Sequence, residues 1–448
     1  MVDSVSIIGL GKLGAPMAAC FAARGFRVHA VDLDAKKVDA INSGLPPVHE
    51  PGLGELLQES HGNLRASQDI EAAVRDSDVT FIVVSTPSES NGGFSLKYVL
   101  PSCEKIGSAL RAKKGFHVVV LTSTVMPGST GNEVRAALEK ASGKSCGAEF
   151  GLCYSPEFIA LGSVIRDFYY PDFLLIGESC KNAGDILQDV YGRLCKNSPA
   201  VARMNFINAE ITKLALNTFI TTKISYANML ARLCERLPEA DVNVVTGALG
   251  LDSRIGPKYL KGAVSYGGPC FPRDNRALAA LATSVGAFSD LAVTTDRFNR
   301  AQVKWIAEIV KQHCSGTGTI AILGLTYKPE TDVVEESFGL LLAQTLAGAG
   351  LPVTVYDPGV DISRALASHP SIQTARSAEE CISRAEVVIL ATPWAEFSQL
   401  RAEKWDQKTV IDCWGALTPL DGVAGIRYVR LGCGGLAKHT VESVSAAP

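Results

Sequence analysis

The sequence predicts an α/β protein in which two doubly wound parallel sheets are joined by a long central helical segment. Near each end of the 448-residue chain, short apolar runs end at glycine, threonine or aspartate, which is typical of parallel strands buried on both faces. The C-terminal runs repeat the order of the N-terminal ones. Between the two sets, from about Asn205, apolar residues recur at the spacing of one helix face. A chain of this length exceeds one hydrophobic core, so we expect two or three domains.

The first strand–helix–strand unit lies at the N-terminus. An apolar strand pattern precedes a loop with Gly9, Gly11 and Gly14, a helical pattern follows, and a second apolar run ends at Asp32. In this context the glycines allow a tight turn, close approach of a pyrophosphate and close helix packing, and the helix N-terminus favours phosphates. Asp32 would accept hydrogen bonds from the adenosine ribose and repel a 2′-phosphate. The pattern predicts a Rossmann-like domain that binds NAD rather than NADP.

Polar side chains follow the next two buried strands. The apolar run 78–84 ends near Thr86, and the run 116–121 ends near Thr124. Ligands of open α/β sheets lie at the carboxyl ends of the strands, so both threonines are predicted to contact the cofactor. Ordinary turn and cap chemistry is the alternative. The expected cofactor contacts are Gly9, Leu10, Gly11, Lys12, Leu13, Gly14, Asp32, Lys37, Thr86 and Thr124.

The central helical pattern runs from about Asn205 to Leu233 and carries Lys213 and Asn217. Side chains four residues apart share one face of a helix and can reach a common ligand. Their neighbours are apolar nearly all round, which predicts burial, and a buried lysine or asparagine requires a partner or a function. A solvated polar stripe is the alternative. A helix of this length would also suit a spine between domains or a dimer interface.

A stiff loop at residues 266–274 places Cys270 after two glycines and between two prolines, with Asp274 four residues later. Glycine lets the backbone approach a ligand closely, and proline restricts φ. A thiol held on such a loop suits nucleophilic attack, and a nearby carboxylate can act as a base or orient water. The alternative is a small buried hydrophobic side chain in a turn. A single helical stretch is predicted next, from Asn275 to about Gln312.

The C-terminal part repeats the strand pattern without the glycine loop. Its first apolar run leads into a segment with Lys328, and its second ends at Asp357. Because G-x-G-x-x-G is missing, this second Rossmann-like unit is expected to bind something other than a dinucleotide, and Lys328 at a strand end suits a phosphate. The predicted domains are an NAD-binding domain at 1–200, a central helical segment for dimerisation and catalysis at 201–312, and a second ligand-binding domain at 313–448.

Composition and charge argue against several classes of function. The formal net charge of -3, without a basic stretch, gives no reason to expect binding to nucleic acid or an anionic membrane, and no apolar run is long enough to span a bilayer. The 12 cysteines form no C-x-x-C pair and the 7 histidines no metal-ligand spacing, so we expect reduced thiols and no metal. The N-terminus does not resemble a signal peptide, and we expect a cytoplasmic protein.

In order and over nearly the whole chain, the motifs resemble the UDP-glucose/GDP-mannose dehydrogenase family. Besides the glycine loop, the matching segments are Ser85-Thr86-Pro87, Ser123-Thr124-Val125, Pro156-Glu157-Phe158, Lys213 with Asn217, Asp252 with Arg254-Ile255-Gly256, Gly267-Gly268 with Cys270-Phe271-Pro272 and Asp274, and Tyr327-Lys328-Pro329 with Thr331-Asp332. The resemblance implies a four-electron oxidation of the C6 alcohol of a nucleotide-sugar to a carboxylate, with two NAD used in turn.

The resemblance also implies roles for the candidate catalytic residues. Cys270 would hold the aldehyde as a thiohemiacetal and then carry the acid as a thioester, so that the aldehyde cannot diffuse away. Lys213 would stabilise the developing oxyanion, and Asn217 would hold the reacting oxygen or water. Two carboxylates are candidates for the general base, and the choice between them stays open. Proton transfer and water contacts are assigned to Asp274, Glu157 and Thr124.

By the same resemblance, the nucleotide-sugar would bind to the central segment and the second Rossmann-like unit. In the family, an arginine at the position of Arg254 reaches the sugar of the neighbouring subunit, which implies a homodimer. The expected substrate contacts are Glu157, Phe158, Lys213, Asn217, Arg254, Tyr259, Leu260, Lys261, Gly267, Tyr327 and Lys328.

UDP-glucose is the predicted substrate, because residues 252–261 and 270–272 look like those of UDP-glucose 6-dehydrogenases. The N-acetylmannosamine branch usually has histidine where this chain has Pro269, and the GDP-mannose branch usually has leucine in place of Phe271. The family usually has a basic residue where this chain has Trp414. The same chemistry on dTDP-glucose, GDP-mannose or UDP-N-acetylmannosamine therefore stays an alternative.

Three further positions depart from the family pattern. Glu335 stands where an arginine associated with the cofactor phosphates is usual, Arg273 replaces a lysine, and Leu161 stands where some members have a second glutamate. Reversal of charge at position 335 keeps open a nucleotide-sugar sensor that binds NAD without turnover. A two-electron hydroxyacid dehydrogenase, which needs no cysteine, is the other alternative.

Overall fold

The computed structural model describes residues 2–315 and 318–434, which belong to two compact units. The first unit comprises Met1–Leu216 and Arg276–Ser289, and the second comprises Asn217–Asn275 and Asp290–Pro448. Two of the three boundaries between adjoining segments fall inside helices, and the third, between Ser289 and Asp290, lies at the start of a helix. Residues 435–448 of the predicted C-terminal domain lie outside the described residues.

The sheet of the first unit contains eight strands in the order β3-β2-β1-β4-β5-β6-β7-β8. These are β1 (Ser4–Ile8), β2 (Arg27–Val31), β3 (Leu64–Ser67), β4 (Val79–Ile82), β5 (Val118–Leu121), β6 (Gly151–Tyr154), β7 (Phe173–Glu178) and β8 (Ala200–Met204). Adjacent strands are parallel except for the antiparallel pair β6–β7. The central strands β1, β4 and β5 are entirely buried, which accounts for their continuous apolar runs.

The helices of the first unit connect these strands and lie on the sheet. They are α1 (Gly14–Ala23), α2 (Ala35–Asn42), α3 (Leu53–Ser60), α4 (Ile70–Arg75), α5 (Val99–Ala112), α6 (Arg135–Ser142), α7 (Val164–Tyr169) and α8 (Lys181–Leu194), followed by α9 (Phe206–Cys234), which continues into the second unit. Local sequence sets several of their starts. For example, the side chains of Asp34 and Asp69 accept backbone hydrogen bonds at the N-termini of α2 and α4.

The sheet of the second unit has six parallel strands in the order β11-β10-β9-β12-β13-β14. The strands are β9 (Ile320–Leu323), β10 (Val353–Tyr356), β11 (Gln373–Thr374), β12 (Val387–Leu390), β13 (Thr409–Asp412) and β14 (Arg427–Arg430). The remaining helices are α10 (Val242–Gly250), α11 (Phe271–Ser284), α12 (Asp290–His313), α13 (Phe338–Gly348), α14 (Ile362–Ala365), α15 (Ala378–Ser383) and α16 (Ala395–Ser398). Of these, α11 begins in the second unit and ends in the first.

The predicted fold class is confirmed: two Rossmann-like sheets, whose first six strands follow the same order, accompany a central helical segment. The long central helix is present as α9. The prediction of one helix from Asn275 to about Gln312 is wrong, because α11 and α12 are separate helices. The chain breaks between them at Gly286, whose φ of 69° is a conformation that other residues rarely adopt.

Four strands lacked a clear sequence signal, namely β3, β8, β11 and β14. Each of them forms an edge of its sheet. An edge strand has a neighbour on one side only and does not need the continuous apolar run of a central strand. β11, for example, is only two residues long, and both are exposed.

Each unit has its own buried core against its sheet. In the first unit, α1 is buried along nearly its full length between β1, β2 and α3. In the second, α12 and α13 cover β9 and β10. Within residues 2–315 and 318–434, no helix combines the length and the apolar character needed to cross a bilayer.

Candidate active site

The three glycines of the loop after β1 lie in different environments. Gly9 has a φ of 104°, and a Cβ on it would lie 2.6 Å from Val83 O. A Cβ on Gly14 would lie 1.8 Å from Gly9 O, so α1 starts directly against the turn. Around Gly11, no atom of the described chain lies within 4 Å of the position of a Cβ. The first and third glycines thus serve the packing of the chain, and Gly11 leaves open space at the helix N-terminus.

The carboxylate of Asp32 lies beside this loop at the end of β2. Its Oδ2 accepts hydrogen bonds from Leu10 N at 2.7 Å and Lys37 Nζ at 3.3 Å, and its Oδ1 accepts one from Asp34 N at 2.9 Å. The side chain keeps 14% of its surface exposed. The predicted cofactor contact Lys37 therefore forms an ion pair with Asp32. In the same loop, Leu10 is buried, and Lys12 and Leu13 are half-buried.

A cavity of about 350 Å³ lies at the carboxyl ends of β1, β2 and β4, lined in part by Gly9, Gly11 and Asp32. Its wall also contains three side chains that sequence reasoning missed, which come from α5 and the two residues before it: Lys97, Tyr98 and Lys105. The open space at Gly11, the partly exposed carboxylate of Asp32 and the added positive charge fit a dinucleotide. Lys97 lies two residues before α5 and Lys105 lies within it, so no helical spacing in the sequence linked the two lysines.

Thr86 and Thr124 lie together at the ends of β4 and β5. The hydroxyl of Thr86 donates to Thr124 O at 2.7 Å, so it ties the two strand ends to each other. Ser123 makes a similar link, because its hydroxyl donates to Val84 O at 2.6 Å. Thr86 is buried and Thr124 is half-buried.

Glu157 follows β6, and its carboxyl group lies among buried atoms although the residue keeps some exposed surface. Its Oε1 accepts a hydrogen bond from the Tyr191 hydroxyl at 3.3 Å. Burial raises the pKa of Glu157 to about 7, against the opposing effects of that hydrogen bond and of the Lys213 charge. A carboxyl group with this pKa can both release and take up a proton near neutral pH.

Lys213 on α9 is buried, as its apolar neighbours predicted, with 8% of its surface exposed. Its Nζ donates to Glu157 O at 2.7 Å and lies 4.8 Å from the centre of the Phe158 ring. Phe158 in turn stacks on Phe173 with a centroid separation of 4.8 Å. The first unit thus brings together three predicted site residues, Glu157, Phe158 and Lys213.

The second unit brings together Asn217, Cys270 and Asp274. The Asn217 side-chain amide donates to Asp274 Oδ2 at 2.6 Å, and both residues are buried. Asp274 lies in the first turn of α11, where its backbone N–H donates to Cys270 O at 2.8 Å. Arg273 Nε lies 3.6 Å from Asp274 Oδ1 and adds a positive charge.

Cys270 directly precedes α11 and is the exposed member of the twelve cysteines, all of which lie in the described residues outside disulfides. Two glycines explain how its loop is held. A Cβ on Gly267 would lie 2.3 Å from Glu336 O, and one on Gly268, at a φ of 83°, would lie 2.9 Å from the Tyr327 ring. Gly268 N also donates to Glu335 O at 2.9 Å. The cysteine loop is therefore fixed against the segment after β9.

The other predicted substrate contacts are spread over the second unit. The Tyr259 ring lies 6.5 Å from the Phe271 ring, and its backbone has a φ of 65°. Leu260 is buried and Lys261 is exposed. Lys328 Nζ lies 6.0 Å from the centre of the Tyr327 ring. The Arg254 side chain is 86% exposed and forms an ion pair with Asp252 at 2.6 Å. No cluster of side chains suited to a metal ion occurs among the described residues.

Models of three domains of one family match the chain in order. The NAD binding domain of the UDP-glucose/GDP-mannose dehydrogenase family matches residues 3–195, its central domain residues 207–301, and its UDP binding domain residues 321–419. UDP-glucose 6-dehydrogenase AglM of Haloferax volcanii is 35% identical over 94% of this chain and 98% of its own. The chain belongs to the UDP-glucose/GDP-mannose dehydrogenase family.

Relatives named for UDP-glucose and relatives named for GDP-mannose are about equally similar to this chain. GDP-mannose 6-dehydrogenase of Pseudomonas savastanoi pv. phaseolicola is 34% identical over 92% of this chain and 96% of its own. Among solved structures, a UDP-glucose dehydrogenase from Pyrobaculum islandicum shares 31% identity, with a TM-score of 0.87 and 98% of each chain covered. Members of the family are NAD-dependent nucleotide-sugar dehydrogenases, so the predicted cofactor, NAD, is confirmed.

Positions 335 and 414, where this chain departs from the family pattern, lie in different surroundings. Glu335 is exposed, and its backbone holds the cysteine loop. Trp414 is half-buried, and its indole N–H donates to Ala391 O at 2.8 Å. Its backbone N–H donates to the buried carboxylate of Asp412 at 2.9 Å. An indole anchored in this way supplies no charge where the family usually has a basic residue.

Proposed function

We propose that this dehydrogenase oxidises the C6 hydroxyl of UDP-glucose to the carboxylate, giving UDP-glucuronate. The observation that carries the proposal is the placement of Cys270. Its exposed thiol precedes a helix whose first turn holds Asp274, and Asp274 is hydrogen-bonded to Asn217. This arrangement supplies a nucleophile next to a buried carboxylate–amide pair, which is what a covalently held intermediate requires.

Cys270 would retain the aldehyde between two oxidations. After the alcohol has lost two electrons and two protons, the sulfur bonds to C6 and the aldehyde oxygen takes a proton, which gives a thiohemiacetal. Loss of two more electrons and two protons gives a thioester, and water then cleaves the S–C bond, releases the carboxylate and restores the thiol. NAD, when bound, accepts a hydride at each oxidation. The residues proposed to hold it are the Gly9–Gly14 loop, Asp32, Lys97 and Lys105.

Lys213 is proposed to stabilise negative charge on the reacting oxygen. An ammonium group has three N–H donors, and the bond to Glu157 O occupies one of them. The others would donate to the alkoxide or the tetrahedral oxygen, which carries full charge only along the reaction path. Burial strengthens this attraction, because little water screens the ammonium.

Asn217 and Asp274 are proposed to act as a pair on the substrate or on water. The Asn217 amide has two N–H donors, and Asp274 accepts from one of them at 2.6 Å. The second would donate to the substrate, while the oriented carboxylate of Asp274 holds the hydrolytic water. Glu157 would move protons near neutral pH, because its pKa is about 7. Thr124 would contact water or the cofactor.

The nucleotide-sugar is proposed to contact Tyr259, Leu260, Lys261 and Gly267, with Tyr327 and Lys328 near its phosphates. The match of residues 321–419 to the family's UDP binding domain supports a uridine nucleotide. Pro269 and Phe271 favour glucose over N-acetylmannosamine and mannose. Trp414 keeps dTDP-glucose as the competing substrate, since this position carries an uncharged indole where the family usually has a basic residue.

The first experiment compares kcat/KM for UDP-glucose, dTDP-glucose, GDP-mannose and UDP-N-acetylmannosamine, and counts the NADH formed per sugar. UDP-glucose should have the highest value, with two NADH formed for each molecule of acid. A higher value for GDP-mannose would overturn the proposed substrate. One NADH per sugar would overturn the four-electron reaction and favour a two-electron dehydrogenase.

The covalent step is tested by Cys270→Ser, with Cys180→Ser as the matched control. Loss of a catalytic nucleophile typically costs a factor of about 10² or more in kcat. Cys180 lies at the start of α8 and has no proposed role, so its variant should retain wild-type activity. Acid formation by Cys270→Ser at the wild-type rate would show that the tether is wrong, even if UDP-glucose is the substrate.

A homodimer is proposed from an apolar face in the second unit. Phe219, Tyr226 and Leu233 recur every seven residues on α9 and are all exposed, as is Leu251, 88% of whose surface is accessible. Arg254, close to Leu251 in sequence, would reach the active site of the neighbouring subunit. Phe219→Glu should lower the dimer fraction in analytical ultracentrifugation, whereas Phe288→Glu in the first unit should not.

The role of Arg254 in the neighbouring site is tested by mixing two inactive variants. If Arg254→Ala and Cys270→Ser subunits exchange, half of the dimers are mixed, and each mixed dimer has one intact site. About a quarter of wild-type activity should then return. Exchange without any recovery would show that Arg254 does not act across subunits.

A further inference from the structure

A chain of two hydroxyl groups extends from the Glu157 carboxyl into the core of the first unit and has no part in the mechanism above. The Tyr191 hydroxyl donates to Glu157 Oε1 at 3.3 Å and lies 3.0 Å from the Ser155 hydroxyl. Tyr191 belongs to α8 and is 1% exposed, and Ser155, directly after β6, is 2% exposed. Both groups are thus removed from water but connected to a carboxyl group of the site.

The backbone holds both hydroxyls in place. Ser155 N donates to Leu121 O at 2.9 Å, which anchors this residue to the end of β5. The Tyr191 ring packs edge-on against Phe81 at a centroid distance of 6.3 Å. Neither side chain can rotate away without disrupting the packing of the core. The Tyr191 hydroxyl therefore stays in a fixed position beside the Glu157 carboxyl group.

A hydroxyl can donate and accept, and this property matters for a group that changes its protonation state. When Glu157 is ionised, Tyr191 donates to it and accepts from Ser155. When Glu157 is protonated at Oε1, it can donate to Tyr191, which then donates to Ser155. The three groups remain hydrogen-bonded in both states. Burial raises the pKa of Tyr191 well above its ordinary value, so the phenol keeps its proton throughout.

We infer that Tyr191, supported by Ser155, is a positioning residue that orients the Glu157 carboxyl and sets the pH at which it exchanges its proton. The inference rests on the proposed role of Glu157 in catalysis. Of the two hydroxyls, only that of Tyr191 donates to the carboxyl group, and Ser155 acts through it.

The other titratable groups around Glu157 do not obscure the effect of the Tyr191 hydrogen bond on its pKa. Lys213 on α9 supplies a positive charge that stabilises the carboxylate. The thiols of Cys20 on α1 and Cys195 after α8 also lie within electrostatic range of Glu157. Burial raises their pKa values to about 12 and about 11, so both are neutral at pH 7. Besides the charge of Lys213, the hydrogen bond from Tyr191 is therefore the effect on the pKa of Glu157 that a substitution can remove.

The test is the pH dependence of kcat in Tyr191→Phe, which removes the hydroxyl and keeps the ring. Because the hydrogen bond favours the carboxylate, its loss should raise the pKa of Glu157. The limb of the profile near pH 7 should move to higher pH by roughly half to one unit, whether Glu157 acts as acid or base. Ser155→Ala should move it in the same direction by less. KM for the nucleotide-sugar should change little.

The matched control is Tyr428→Phe, which removes a similar bond from a tyrosine hydroxyl to a buried carboxylate, Asp412, at 2.7 Å in the second unit. Its pH limb should coincide with that of the wild type. A uniform loss of activity in Tyr191→Phe, with the limb in place, would reduce Tyr191 to a structural role and overturn the inference.

A second readout needs no substrate, so it separates this inference from the proposed function. The carboxyl stretch of Glu157, identified by its absence in Glu157→Gln, is titrated by infrared spectroscopy in the wild type, Tyr191→Phe and Ser155→Ala. A higher midpoint in both variants supports the inference even if UDP-glucose proves not to be the substrate. An unchanged midpoint in Tyr191→Phe overturns it, whatever the activity. If Tyr191→Phe does not fold, Ser155→Ala decides in the same way.

Discussion

The two Rossmann-like units turn from their first strand into the next helix with the same backbone geometry. Gly9 has a φ of 104° and donates to Val31 O at 2.7 Å, and Gly324 has a φ of 102° and donates to Tyr356 O at 2.8 Å. A Cβ on Gly14 would lie 1.8 Å from Gly9 O. In the second unit, a Cβ on Gly339 would lie 2.0 Å from Gly324 O. Both units therefore keep a glycine in the turn and a second one in the helix packed on it.

The loops between these glycines differ in length. Gly14 follows Gly9 by five residues, whereas Gly339 follows Gly324 by fifteen. The second loop has no counterpart to Gly11, the glycine that leaves open space. In its place, the longer loop carries Tyr327 and packs against the glycines of the cysteine loop.

The acid after the second strand is also used differently. Asp32 keeps part of its side-chain surface exposed beside the cavity. Asp357 is buried, and its Oδ2 accepts from Leu325 N at 2.6 Å, from the backbone and hydroxyl of Thr326 at 2.9 and 3.0 Å, and from Trp394 Nε1 at 3.3 Å. A carboxylate with these donors has little capacity left for a ribose. The same turn is thus proposed to serve a cofactor in the first unit, whereas in the second its acid serves the interior of the protein.

The largest effect is expected where both units are alike, at the helix glycines. Gly14→Ala and Gly339→Ala would each place a Cβ on a backbone oxygen, and we expect a loss of about 3 kcal/mol or more in local stability. Hydrogen–deuterium exchange should show faster exchange in β1 for Gly14→Ala and in β9 for Gly339→Ala. Equal protection in variant and wild type would mean that the close approach is not required.

Asp357 is expected to contribute mainly to stability, and Asp32 mainly to NAD binding. Asp357→Asn would leave buried donors without an acceptor and should cost about 3 kcal/mol in the free energy of unfolding. Asp32→Asn should cost less, about 1 kcal/mol, but weaken NAD binding measured by calorimetry. A similar loss of NAD affinity in both variants, at unchanged stability, would contradict the separation of roles.

Each unit buries a glutamate whose pKa is raised to about 7, Glu157 in the first unit and Glu235 in the second. Ionisation of Glu235 is expected to change the stability of the protein but not its activity. Burial raises the pKa of Glu235, which accepts from Gly432 N at 2.8 Å. Because ionisation is harder in the folded state, stability falls as pH rises from the unfolded value of about 4.5 to about 7. Glu235→Gln should therefore stabilise the protein by roughly 2 kcal/mol more at pH 8 than at pH 5.

Thermal unfolding at the two pH values provides the measurement for Glu235→Gln. The pH limb of kcat should stay in place in this variant, whereas Glu157→Gln should remove it. An equal shift in melting temperature at pH 5 and pH 8 would show that Glu235 does not titrate in this range.

The smallest effect on stability is expected at Gly11, which has no counterpart in the second unit. Gly11→Ala meets no atom within 4 Å in the described chain, so the free energy of unfolding should change by less than about 0.5 kcal/mol. The methyl group would enter the space left for the pyrophosphate, and the Kd for NAD should rise about tenfold or more. Destabilisation without a change in NAD affinity would mean that Gly11 serves packing, like Gly14.

The sequence by itself determined the fold class, the family and the cofactor. Buried parallel strands such as β1 and β4 leave continuous apolar runs, and the glycine loop with Asp32 leaves a local pattern, so both are readable along the chain. Edge strands and the break at Gly286 were missed, because their determinants lie in neighbouring strands or in one dihedral angle.

Only the tertiary structure decided which polar groups meet. Tyr191 belongs to no motif, yet its hydroxyl meets the Glu157 carboxyl and the Ser155 hydroxyl because α8 packs on β6. Gly339 takes the place of Gly14 although it is fifteen residues beyond its turn, and the indole of Trp394, 37 residues from Asp357, donates to that carboxylate. Hydrogen bonds and close packing act over a few ångströms in space, and the sequence separation of the partners carries no record of them.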